Sequence, residues 1–373
     1  MKVVVAIDSL KGCLSSMDAG KAIREGILAA KPDAEVVIKP LADGGEGTVD
    51  ALIEGLHGER VNVTVTGPLG DPVSCYYGYL KETKTAIIEM ASAAGITLIN
   101  KKNPLLATTY GVGEMINDAV EKGCRNFIIG IGGSATNDGG IGMLKALGFE
   151  FLDKNGNDVG EGGQALGKIH VIKTDNQNPL LADCHFQVAC DVANPLCGKN
   201  GATYIYGSQK GVTEDLKEKL DQDMAHYARI ASKTLGSDYS DVKGAGAAGG
   251  LGFALLGFLH AELIPGIDLI MQVSGLENEL RDADIVVTGE GRLDYQTIMG
   301  KAPVGIARLA KKYGIKVIAF AGSVTSEASA CNRAGIDAFF PIVRGITTLE
   351  EAMEPEHAKS NMRETVEQVF RLL

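Results

Sequence analysis

Tryptophan is absent from the 373 residues, and Phe and Tyr bring the aromatic share to only 5%. So few rings argue against the stacking platforms on which single-stranded nucleic acid binds. Positive charge is also short: 36 Lys and Arg stand against 47 Asp and Glu, a net charge of −11. This argues against nucleic acid or an anionic membrane as a partner. No apolar run is long enough to span a bilayer, since 251–264 is interrupted by His260 and Glu262. The apolar run in Met1–Val5 is too short for a signal peptide, so the cytoplasm is the expected compartment. There is no C-x-x-C pair among the seven cysteines, an odd number that fits reduced thiols. Cys184, His185, Cys190 and Cys197 cluster, but core packing accounts for them better than a zinc site. None of the six histidines stands in a recognisable catalytic setting.

What is present in excess is glycine, 48 residues, nearly twice ordinary usage and grouped without a collagen-like period. A hydrophobic content of 45% with 22% charged residues is that of a soluble globular chain, and the length suits two or three domains. The densest group lies in 126–148. Asn126–Ile131 reads as a buried strand, and Gly130, Gly132, Gly133, Gly139 and Gly140 then surround Ser134, Thr136, Asn137 and Asp138. Helical spacing follows from Ile141 to Leu147 and ends on Gly148. A glycine loop opening a helix lets backbone N–H groups approach an anion, and a tight turn that binds nothing is the bland alternative.

Elsewhere the same alternation recurs. Strands are predicted at Val3–Ile7, Glu35–Lys39, His185–Asp191, Asp284–Thr288, Lys316–Phe320 and Ala338–Ile342, most of them followed by a helical pattern. Val61–Thr66, Cys75–Leu80 and Thr85–Met90 read instead as a meander separated by Gly-Pro and Gly-Asp-Pro turns. The expected fold class is α/β with two α/β domains. Residues 1–75 and 265–373 would form a discontinuous Rossmann-like domain with a parallel sheet, and 76–264 a glycine-rich inserted α/β domain.

Common nucleotide motifs fail. Gly130-x-Gly132-x-x-Ala135 resembles a dinucleotide fingerprint, but Asn137–Gly140 delays the helix that the motif must open. Every Gly-Lys pair lacks the Ser or Thr of a Walker loop. What recurs is a set of acidic groups beside Gly, Ser or Thr at strand ends: Asp8 with Lys11, Asp43 with Glu46, Asp138, Asp191 with Asn194, and Glu290 with Asp294. For Asp138 or Glu46 alone, helix capping is the simpler reading. Together they suit a site where carboxylates hold Mg²⁺ while lysines and backbone N–H groups hold phosphates, which is the requirement of phosphoryl transfer.

These residues carry a resemblance that spans nearly the whole chain. Asp8-Ser9-Leu10-Lys11, Ala42-Asp43-Gly44-Gly45-Glu46-Gly47-Thr48, Gly130 through Gly140, and Cys190-Asp191-Val192-x-Asn194-Pro195-Leu196 resemble, in that order, motifs of the bacterial type 1 glycerate kinases. Gln209-Lys210-Gly211, Gly246-Ala247-Ala248-Gly249-Gly250 and Thr288–Arg292 with Asp294-x-Gln296-Thr297 complete the set. Leu10 stands where the family has Phe, and Ile7 where it often has Pro; neither changes a chemical group.

The resemblance implies ATP-dependent phosphorylation of D-glycerate with Mg²⁺, in a cleft between two α/β domains. It is similar to members giving 2-phosphoglycerate in glyoxylate and sugar-acid catabolism. A 3-phosphoglycerate product and, in another class, an NAD-dependent hydroxyacid oxidoreductase are the alternatives. The expected partners are ATP and D-glycerate alone, and a homo-oligomer is left open.

The expected base is Asp191, at the end of a buried strand and oriented by Asn194-Pro195. Glu290 and Asp294 are expected at the metal, with Asp43 in reserve, and base and metal roles could be exchanged, which makes Asp191 a metal candidate as well. Lys11, Lys210 and Lys301 would neutralise phosphate or carboxylate charge, and Arg292 would either clamp the glycerate carboxylate or form a surface ion pair. Asp8, Ser9, Gly132, Gly133, Ser134, Asn137, Asp138, Asn194, Gly246 and Gly249 are the remaining binding candidates.

Overall fold

Val3, Val4 and Val5 are buried on both faces of their strand, as expected of a parallel sheet covered by helices on each side. In the computed structural model, which describes every residue except Asp43, thirteen strands are found among the described residues. In chain order they are β1 (Lys2–Val5), β2 (Glu35–Ile38), β3 (Glu59–Thr66), β4 (Pro72–Leu80), β5 (Thr85–Glu89), β6 (Asn126–Gly130) and β7 (Glu150–Leu152). The others are β8 (Val171–Lys173), β9 (His185–Ala189), β10 (Glu262–Ile264), β11 (Ile285–Leu293), β12 (Lys316–Val324) and β13 (Ala338–Pro341). No helix among the described residues is long and apolar enough to cross a membrane.

The chain divides into two compact units. The first comprises Met1–Asp43, Asp50–Gly58 and Ile267–Leu373. Its sheet has the order β13-β12-β11-β1-β2, all parallel. The chain leaves β1 toward β2 on one side and returns through β11 to β12 and β13 on the other. The strand order therefore reverses between β1 and β11, and the carboxyl ends of those strands diverge there into a crevice.

Helix Ser16–Ala30 starts where Ser15 Oγ accepts from the Asp18 N–H at 3.0 Å, which makes Ser15 its cap. Ser16 does something else. Its hydroxyl donates to the Ile7 carbonyl at 2.6 Å and accepts the Leu41 N–H at 2.8 Å, tying the segment after β1 to the one after β2. Ile23 and Ile27 of this helix share a core with Val3, Val5, and Met362, Val366 and Phe370 of helix Pro355–Phe370.

The second unit comprises Gly44–Val49 and Glu59–Gly266. Its six-stranded sheet has the order β10-β9-β6-β5-β4-β3. β5, β6, β9 and β10 run parallel, while β3, β4 and β5 form the antiparallel meander expected from their turns. The sequence boundary at residue 75 falls inside β4. Pairing of β3 with β4, closed by Gly67 N–H to Asp71 C=O at 2.8 Å, keeps both strands in this unit. β7 and β8 form a separate antiparallel pair.

Close backbone packing explains much of this unit's glycine. Gly249 has φ +70°, and a Cβ there would lie 2.1 Å from the Thr136 carbonyl. Across the same contact the Gly139 N–H donates to the Gly249 carbonyl at 2.9 Å. The glycine runs 136–140 and 246–250 thus pack on each other, backbone against backbone. Gly249→Ala combines left-handed strain with overpacking and is expected to cost about 3 kcal/mol or more. Chemical denaturation reads this directly; an unchanged midpoint would show that the two loops can separate without penalty.

Candidate active site

In the first unit a cavity of about 420 Å³ opens at the carboxyl ends of β1, β11 and β12, where the strand order reverses. Six of the residues expected from sequence line it, although they lie nearly 300 positions apart: Asp8, Ser9, Lys11, Glu290, Arg292 and Lys301. Asp8 is buried and its carboxylate accepts the Ser9 N–H at 2.7 Å. Glu290, also buried, accepts the Thr297 hydroxyl at 2.6 Å and lies 3.4 Å from the Lys301 ammonium. Burial pushes the Glu290 carboxyl above its ordinary value, while Thr297 and Lys301 oppose the shift.

Asp294 is placed differently. It caps the short helix Tyr295–Met299, accepting the Gln296 N–H at 2.8 Å, while its own N–H donates to Thr297 Oγ1. Arg292, largely exposed, has its Nε 3.7 Å from the Asp294 carboxylate. Thr297 therefore connects the cap at Asp294 with Glu290 inside the cavity. Asp43 lies outside the described residues.

In the second unit the site candidates follow the carboxyl ends of β6 and β9, neighbours in register through Gly130 and Ala189. Gly132 and Gly133 are exposed after β6, and the backbone next to them is fixed by Ile96 N–H to Gly133 C=O and Ala135 N–H to Ala94 C=O, both 2.9 Å. Ser134 is buried in that bridge.

Asp191, exposed after β9, accepts the Gly266 N–H at 2.8 Å. Asn194, expected to orient Asp191, has its side chain engaged elsewhere. It donates to the Asn200 carbonyl at 2.8 Å and accepts the Tyr206 hydroxyl at 2.6 Å, while its own carbonyl receives the Gly246 N–H at 3.0 Å. Gly246 is buried, and a Cβ on it would meet the Pro195 carbonyl at 2.2 Å.

Behind the loop lies a wholly buried polar group of Thr136, Asn137, Asp138 and Lys210. Asp138 accepts four hydrogen bonds: from Thr109 N–H and Oγ1 at 2.8 Å, Gly140 N–H at 3.1 Å and Gly142 N–H at 3.3 Å. Burial raises its carboxyl above the ordinary value and the four donors pull it back. Asn137 Nδ2 donates to Thr203 Oγ1 at 3.0 Å, and Lys210 Nζ donates to the Thr136 carbonyl at 2.7 Å. Asn137, Asp138 and Lys210 thus hold the loop from within, with no surface of their own for a ligand. Thr109 and Thr203, which complete the group, lie outside every acidic motif; only Thr109, in a Thr-Thr pair before a helix, carried any local signal.

Burial pushes the Lys210 ammonium down to about 7, although the Asp138 charge opposes the shift. A lysine depressed from its unfolded value of 10.5 weakens the fold fully below pH 7, and that penalty is relieved as pH rises from 7 toward 10.5. Cysteines raised by burial, such as Cys75 and Cys124 to about 11, act oppositely above their unfolded values. Comparison of the wild type with Lys210→Met isolates the lysine. The variant's stability relative to wild type is expected to be greatest at pH 7 and to shrink by up to about 1.4 kcal/mol per pH unit above it. Denaturant midpoints at pH 7 and 8.5 measure this, and a pH-independent difference would show that Lys210 stays charged throughout.

Comparison with known proteins identifies the kind of chain these sites belong to. A sequence profile described as the glycerate kinase family matches residues 3–373. A Bacillus subtilis (strain 168) protein named glycerate kinase is 46% identical, over 99% of this chain and 97% of its own. An Escherichia coli (strain K12) protein named glycerate 2-kinase is 48% identical over 94% and 93%. A crystal structure of a Salmonella typhimurium LT2 protein assigned as glycerate kinase 2 superposes with a TM-score of 0.92 at 45% identity, covering 100% of this chain and 98% of that one. The chain belongs to the glycerate kinase family of enzymes.

Proposed function

We propose that this enzyme transfers the γ-phosphoryl group of ATP to D-glycerate and that the product is 2-phosphoglycerate. The observation that carries the proposal is the 48% identity, across 94% of the chain, to the E. coli relative named glycerate 2-kinase. In-line transfer needs an acceptor for the hydroxyl proton, cations for the phosphate charge and a fixed geometry. Asp191 is the proton acceptor in this reading, and Lys11, Arg292 and Lys301 supply cationic charge.

Among the described residues, no group of three or more His, Cys, Asp or Glu is arranged to hold a metal. Magnesium in kinases takes only one or two carboxylates and completes its shell with phosphate oxygens and water. Asp8 and Glu290, buried carboxylates lining one cavity, fit that donor set. Bound there, the ion would neutralise charge on the transferred group. All seven cysteines are free thiols, which suits a cytoplasmic working place.

The product is distinguished by proton-coupled ³¹P NMR after incubation with ATP, Mg²⁺ and D-glycerate. Phosphate on the secondary carbon couples to a single proton and gives a doublet, whereas phosphate on the terminal carbon gives a triplet. A doublet is expected. A triplet would replace the product with 3-phosphoglycerate, and no glycerate-dependent ADP would overturn the kinase reading.

A further inference from the structure

We propose that the first unit's cavity is the nucleotide site, with a purine base on an apolar wall and the phosphates at a cationic one; this rests on the ATP-dependent reading above. The cavity has the size for a nucleotide. A cavity of about 420 Å³ falls in the range that encloses drug-sized ligands, and a three-carbon hydroxy acid would leave most of it empty.

Its lining is mixed, apolar and cationic. Ile342, Val343, Leu349 and Met353 give the lining an apolar stretch from the C-terminal segment, and Lys11, Arg292 and Lys301 line the same cavity. Glycerate has no apolar surface to match such a wall, while a nucleoside triphosphate has a flat base at one end and its charge at the other. The wall is also poorly covered. Leu349 is 77% exposed and Met353 37%, and Ile346, beside them in sequence, is fully exposed. An apolar strip at the rim of a charged cavity marks a binding surface.

Met353 lies over the turn after β1, its Cε 3.2 Å from where a Cβ on Gly12 would stand. Thr348 Oγ1 accepts the Glu351 N–H at 3.2 Å and starts the short helix Leu349–Ala352 that presents Leu349. Leu349 and Met353 thus come from the C-terminal segment, while Lys11 follows β1, Arg292 lies in β11 and Lys301 stands at the start of helix Ala302–Lys312.

Calorimetric titration of the intact protein with ADP tests the assignment. Leu349→Glu alters an exposed side chain, so the fold is not at risk, and Lys11→Ala gives an independent variant on the cationic side. Both are expected to raise the ADP dissociation constant about tenfold or more, and Leu349→Glu should weaken free adenosine as well. Lys11→Ala should leave adenosine binding unchanged. The glycerate KM at saturating ATP should stay within about twofold in Leu349→Glu. ADP affinity unchanged in both variants, or a loss confined to glycerate, would overturn the proposal. Loss of the kinase reading is separable, because it would appear as absent glycerate-dependent ADP release in the wild type, whatever the variants bind.

Discussion

Asp138→Ala is expected to destabilise the fold by about 5 kcal/mol, one of the largest losses open to a single substitution. The four donors that converge on this carboxylate come from three places: Thr109 before helix Tyr110–Glu121, Gly140 in the loop, and Gly142 within helix Ile141–Ala146. Thr109 Oγ1 in turn accepts the Met143 N–H at 2.9 Å. The carboxylate is thus a staple joining two helices to the glycine loop, at a position with no solvent exposure. Alanine leaves its donors without acceptors where water has no access, at about 1–3 kcal/mol each before relaxation. A total of about 5 kcal/mol is expected, comparable with the whole stability of a marginal domain.

Asp138→Asn retains an acceptor oxygen but points an amide N–H₂ at donors, and should lose roughly half as much. Denaturant titration of the purified variants reads both. An alanine variant with the wild-type midpoint would mean that other groups satisfy these donors, and the staple would be disproved. Loss of the Asp138 charge also removes what holds Lys210 partly protonated, so the Lys210 titration should move further down.

The parallel sheet, the meander and the charged residues that line the first unit's cavity were legible in the sequence for a definable reason. Those features rest on local patterns: uninterrupted β-branched runs, Gly-Pro turns, and acidic or basic residues directly after strands. Asp8 and Lys11 follow β1, Glu290 lies in β11 and Lys301 precedes helix Ala302–Lys312, and the parallel pairing of β1 with β11 brings these segments together. The polar group around Asp138 was legible only as residue types. Its partners Thr109, Thr203 and Lys210 approach from separate segments, and nothing in their spacing distinguishes a side chain turned inward from one awaiting a phosphate. Gly246 and Gly249 were ambiguous for the same cause, since close backbone packing and anion binding both demand a missing Cβ. The apolar wall was missed altogether, because Ile342, Leu349 and Met353 belong to no motif and become neighbours of Lys11 only through the order of strands.

Asp191→Asn is expected to lower kcat by about 10²–10⁴-fold while leaving the fold intact. The hydroxyl of glycerate is far too weak an acid to ionise near pH 7, so its proton needs an acceptor as the oxygen attacks phosphorus. Asp191 is exposed just beyond β9, beside the loop that follows β6, and its Oδ1 is fixed by the Gly266 N–H at 2.8 Å. Asparagine keeps an oxygen for that N–H, so the side chain should hold its place. What it loses is the charge and the ability to take a proton. Stability should be unchanged, and the glycerate KM should shift far less than kcat, because a group needed chiefly in the transition state contributes little to ground-state binding. Steady-state kinetics with thermal unfolding as the control measures all three quantities. If kcat stays near the wild-type value, Asp191 is not the base.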